Sequence, residues 1–152
     1  MPAGNFISDN AWMLFVLVTV INAFSLKMRS RKIVTQRPSL RKGYDQLFYG
    51  YLVFMNIPWL VMGIGVVFGG VHGIGSFFRP RDGNLFVLAF HLTILIFLIL
   101  SSLWICFKGG AEFLVKYPGV FNQNIESPWL IKAYFGLSLA VGMIGIAFMW
   151  LR

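Results

Sequence analysis

Two histidines, one carboxylate in a basic turn and a few amides inside apolar runs are the side chains whose type and position could do chemistry in this sequence. His72 and His91 would ligate a haem if two membrane elements brought them to one depth, which makes a haem-binding electron carrier one functional class to consider. The competing expectation is that His91 hydrogen-bonds a neighbouring helix. Glu112, within Lys-Gly-Gly-Ala-Glu-Phe-Leu-Val-Lys-Tyr-Pro, is the only acid close to the inner interface apart from Asp45 and Glu126, and could act as a general acid or base. A single carboxylate without a nucleophile, a metal set or a second carboxylate does not make a catalytic centre. The sequence therefore predicts an interfacial turn in which Glu112 pairs with Lys108 or Lys116, and neither catalytic residues nor a metal site nor a resident cofactor. Cys106 is the single cysteine, so no disulfide forms within one subunit.

The intramembrane polar residues are Asn22, Asn56 and His91. Asn56 precedes the Ile57-Pro58 step, and a buried amide in lipid needs a partner. The carbonyl freed by the proline is the expected one. No Asp, Glu, Lys or Arg lies in the middle of an apolar run, which argues against a proton- or ion-coupled transporter.

These residues are carried by a chain that is 58% hydrophobic and 12% charged, with a mean hydropathy of +0.75. Soluble domains carry roughly a quarter charged residues. An all-α membrane protein follows, with four transmembrane helices at about 11–26, 47–70, 85–107 and 129–151 in one domain. Spans of about 20 residues each take up over half of the chain, leaving the expectation that no separate soluble catalytic domain is present. Asp9 and Asn10 are placed to cap the first helix. That helix is short, lacks a basic residue before it and is followed by a basic flank, so it reads as a retained span rather than a cleaved signal. Pro58 should kink the second span just after Asn56. Trp129 and Trp150 bracket the fourth at headgroup level.

The net charge of +8 is confined to loops and span ends, which points to membrane orientation and away from nucleic acid. Lys27, Arg29, Arg31, Lys32, Arg37, Arg41, Lys42, Lys108, Lys116 and Lys132 belong to one side, and Arg79, Arg81 and Arg152 to the other. Basic loops stay cytoplasmic, so both termini are expected outside, across a bacterial inner membrane. The basic loops also share a faint pattern, KMRSRKIVTQRP and KGGAEFLVKYP, which suggests a two-plus-two duplication. Their basic charge could bind anionic lipid, although fixing topology already accounts for it.

Small residues supply the packing signal. Span two carries Tyr49, Asn56, Gly63 and Gly70 at seven-residue steps, with Pro58, Met62, Gly65 and Gly69 on roughly the opposite face; span four carries Ala133, Gly136, Ala140 and Ala147 on one stripe and Ser138, Gly142 and Gly145 on another. Small side chains let helices approach closely in lipid. The expectation is a centre made of spans two and four, with one and three outside. The functional class this favours is a non-enzymatic accessory or scaffold subunit whose partners are the bilayer and other membrane subunits or further copies of itself. The alternative is a small oligomeric transporter or channel lined by Asn22, Asn56, Thr93 and Ser101.

Overall fold

The computed structural model describes residues 7–121 and 125–151, and among these there is helix and turn but no strand. Helix α1, Ala11–Gln36, is followed by a 3-10 turn, Pro38–Leu40, and then by α2, Arg41–Phe54, and α3, Ile57–Phe68. Helix α4, Leu85–Ser102, widens into a π turn at Leu103–Phe107. A short α5, Gly110–Val115, precedes α6, Pro128–Leu151. Four helical stretches are long and apolar enough to cross a membrane, with α2 and α3 together making the second.

Helix α1 runs ten residues past the expected end of span one, so the basic segment from Lys27 to Gln36 is helical rod rather than loop. Apolar content marks where the bilayer ends. A helix ends at a breaker, and the first one in this direction is Pro38, whose ring disfavours helical backbone at Arg37. Span two likewise begins at Arg41, before the first apolar run. Its interruption falls at Met55–Asn56, so that Asn56 stands before the new helix and Pro58 occupies the second position of its first turn, where no donor is required. Asn10 occupies the N-cap position of α1 without a side-chain capping bond.

Span one packs along both halves of span two, and α3 packs along α4. Phe15 stacks on Trp59 at 4.4 Å and Phe24 meets Phe48 edge-on at 5.4 Å, which fixes the antiparallel register of the first pair. The main core gathers Met62, Val71, Phe77, Val87 and Phe90 between spans two and three, under the turn that joins them. Gly70, at φ 61, allows that turn to start, so that the Val71 N–H bonds back to the Gly65 carbonyl.

The expected centre of spans two and four is not the one observed. Gly63 of span two lies under the Trp12 indole, and Gly65 and Gly69 lie under Phe86, with the Phe77 ring also on Gly65. The small faces of span two thus receive large rings from spans one and three and the connecting turn. Span four sits to the side, against α5, the π turn and the Pro80–Asp82 turn. Only Ile131 of α6 is buried, in a second cluster with Ile105, Ala111 and Leu114. Near its far end Trp150 reaches the His91 ring at 5.9 Å.

Candidate functional site

At the end of the bundle that carries most of the basic residues, the second basic loop closes onto the start of span two. The π turn lets Lys108 N–H reach the Leu103 carbonyl, and Gly109, in the left-handed region at φ 77, reverses the chain into α5. Gly110 can then lie against the Trp104 backbone, where an added Cβ would stand 2.7 Å from the carbonyl oxygen. The Tyr44 hydroxyl donates to the Pro118 carbonyl at 2.7 Å, its ring meets Tyr117 edge-on at 5.1 Å, and Tyr117 lies across Gly43. Lys27 Nζ sits 4.5 Å over the Phe48 ring, a cation held on an aromatic face.

Glu112 pairs with neither Lys108 nor Lys116 but with Lys132, at 2.8 Å. The reversal at Gly109 lays α5 on the first turns of α6, so the nearest ammonium comes from span four. The hydrogen bond from Lys132 holds the Glu112 carboxyl below its ordinary value of 4.5, helped by a backbone hydrogen bond. Both side chains are largely in solvent, at 48% and 35% exposure for Glu112 and Lys132, so this pair positions a loop end and adds little stability. A shallow cavity of about 700 Å³ opens nearby beside Ser39, Arg41, Lys42, Asp45 and Tyr49. A second, of about 440 Å³, lies between the π turn and α6, lined by Ile105, Phe121, Ile125, Phe135 and Ser138. No histidine lines either.

Within the spans, Asn56 is buried and its Nδ2 donates to the Leu52 carbonyl at 2.6 Å. That acceptor differs from the expected one, the Phe54 carbonyl freed by Pro58. The Asn56 N–H turns to Val53 instead of Leu52 as the helix breaks, so Leu52 is left with an open carbonyl that the side chain of Asn56 takes up. Asn56 Oδ1 remains buried without a partner, as does Trp12 Nε1.

His91 is 2% exposed, and its Nε2 lies 2.9 Å from the Phe77 carbonyl. Since a carbonyl only accepts, Nε2 carries the proton and Nδ1 the lone pair; Nδ1 is buried and unpartnered. Phe90 and Trp150 enclose the ring edge-on. His72 is exposed in the turn between spans two and three, where its own carbonyl accepts from the Ser76 hydroxyl. The two histidines thus occupy unlike settings, one sealed against a backbone carbonyl and the other facing out.

The polar residues expected to line a channel are also dispersed. Asn56 is enclosed, Asn22 is exposed on span one, Thr93 returns its hydroxyl to the Ala89 carbonyl, and Ser101 is half-buried on span three. Among the described residues no group of three or more His, Cys, Asp and Glu is placed to hold a metal ion. The helix-packing residues divide by span. Gly63, Gly65 and Gly69 are covered by aromatic rings, whereas beside Gly136, Gly142 and Gly145 no atom lies within 4 Å of an added Cβ, and Ala140 is exposed. Nothing in the sequence distinguished those two groups. The clasp of Tyr44, Tyr117 and Pro118 was missed as well, because its partners are 74 positions apart and follow no local period.

The fold and these sites define a multi-pass integral membrane protein, built from four apolar helices and closed at its basic end by the clasp of Tyr44, Tyr117 and Pro118. No protein-family model, curated protein or solved structure matches the chain.

Proposed function

We propose that this protein is a non-enzymatic accessory or scaffold subunit of a membrane complex, and that it joins other membrane helices along span four. One observation carries this reading. Helix α6 is a 24-residue apolar helix whose glycines, Gly136, Gly142 and Gly145, serve no contact inside the subunit. Glycine inside a helix costs about 1 kcal/mol relative to alanine, and in lipid its compensation is close approach of another helix. Gly63, Gly65 and Gly69 of span two have that compensation within the chain; Gly136, Gly142 and Gly145 of span four require it from outside.

The test is the double variant Gly142→Leu, Gly145→Leu, purified in mild detergent beside the wild type. The expected result is an unchanged thermal midpoint together with a loss of the larger assembly. An assembly of native size in that variant would remove the support for this reading.

The basic end belongs on the cytoplasmic side of a bacterial inner membrane, with both termini outside. Ten of the thirteen Lys and Arg residues on one end support that orientation. With Cys106 replaced by alanine, a cysteine introduced at Ser39 should resist an impermeant thiol reagent in intact cells, and one introduced at Gly75 should react. The reverse pattern would invert the topology.

A further inference from the structure

Asn22 and Asn56 are the two asparagines inside the apolar runs, and Asn22 differs from Asn56 in having no hydrogen bond for its amide. Thr19, Ser30, Thr93 and Ser102 each return a hydroxyl to a carbonyl of their own helix, and Asn56 and His91 each bond a backbone carbonyl. The Asn22 side chain is exposed on the outer surface of span one and has no hydrogen-bond partner among the described residues. Eleven residues separate it from Ala11 and five from Lys27, roughly 16 Å and 7.5 Å along the helix axis, so it lies inside the hydrocarbon layer, in the half nearer the basic end. Two donors and an acceptor therefore face lipid tails, where nothing can bond them. Asparagine is too short to reach the interface as a lysine does.

We infer that span one is a self-association surface, and that Asn22 of one copy pairs with Asn22 of a second copy. The occupant follows from the amide and from the membrane. A second copy inserted with the same orientation holds its Asn22 at the same depth, and two amides related by a two-fold axis along the membrane normal each donate one hydrogen bond and accept one. A partner of another sequence would have to supply a polar group at that depth by coincidence. The surrounding face suits a close crossing. Val18, Asn22 and Ser25 recur at steps of four and three residues, and the two beside Asn22 are small. Leu14 and Ile21, 58% and 54% exposed, flank the stripe and would be covered by the crossing.

Charge sets the shape of the contact. Arg29 and Lys32 continue the same face into the aqueous end, both exposed, and two copies would bring like charges together there. Screening over about 8 Å limits that repulsion only if the helices diverge. The crossing is therefore closest around Val18 and Asn22 and opens towards Arg29. This surface is on a different span from the one proposed for other subunits, so either can fail without the other.

The test uses the full chain with Cys106 replaced by alanine, reconstituted in phosphatidylcholine vesicles, with copies per particle counted by single-molecule photobleaching. The wild-type background should give two copies, Asn22→Leu one, and Asn22→Gln, which keeps the amide, two. Oxidative cross-linking in the same vesicles should join copies through Val18→Cys and not through Arg29→Cys. Because Asn22 is exposed, Asn22→Leu should keep the wild-type thermal midpoint, which separates lost pairing from misfolding. Single copies in the wild-type background, or pairs that persist in Asn22→Leu, overturn the inference. Loss of the larger assembly in the span-four variant with pairing intact would leave it standing.

Discussion

Gly65→Leu should destabilise the isolated subunit by about 3 kcal/mol or more, the upper end of what overpacking a filled core costs. The Cβ alone would stand 3.0 Å from the Phe86 Cβ and 3.1 Å from the tip of the Phe77 ring. The first of these neighbours is tied to the backbone of α4 and cannot swing aside. Phe77 has no room either, being fully buried in the main core. The three further carbons of leucine therefore force α3 and α4 apart, and with them the turn whose Val71 N–H bonds to the Gly65 carbonyl. Thermal unfolding in mild detergent should show a large loss or no folded protein. Gly142→Leu is the matched control, since its Cβ meets nothing within the subunit. A Gly65→Leu protein as stable as the wild type would mean that α3 and α4 do not pack as described.

That contrast also marks the limit of what the sequence could say about packing. The number of the spans was legible because length and hydropathy are properties of single segments. The kink near Asn56 was legible because proline acts locally. A glycine, however, reports only that space is wanted beside a backbone. It does not report whether another small face or a large ring will fill that space. Spans two and four looked complementary because both are small, yet Trp12, Phe77 and Phe86 fill the faces of span two. Aromatic residues on the neighbouring spans were the available signal, and the span-one and span-three sequences carry many of them. Glu112 and Tyr44 show the same limit at the basic end. Their partners, Lys132 and Pro118, are brought near by the reversal at Gly109, which no pairwise spacing encodes.

The polar sites were legible as a demand but not as an outcome. Asn22, Asn56 and His91 each had to find a hydrogen bond in a medium without water. The structure meets that demand in full for none of them: Asn56 keeps a free Oδ1, His91 a free Nδ1, and Asn22 its whole amide. The difference lies in where the open atoms point. Those of Asn56 and His91 are sealed inside the subunit, where they are a fixed cost of holding a bend and a turn. The amide of Asn22 is on the surface, where association can still remove the cost.

His91→Leu is expected to lower the stability of the subunit by about 1–3 kcal/mol, the penalty for leaving a buried acceptor unpaired. Leucine fills much of the imidazole volume, so the loss measures the hydrogen bond to the Phe77 carbonyl more than a cavity. That carbonyl belongs to the turn between spans two and three, and Phe77 is itself part of the main core, so the bond ties the turn to α4 two helical turns below its start. Trp150 rests edge-on against the same ring, which makes His91 a contact between span four and the rest of the bundle. His91→Gln supplies a donor without an aromatic ring. It should recover part of the lost stability, while the Trp150 environment, followed by tryptophan fluorescence, stays altered in both variants. If His91→Leu unfolds at the wild-type midpoint, the bond to Phe77 does not hold the turn, and the buried histidine needs another explanation.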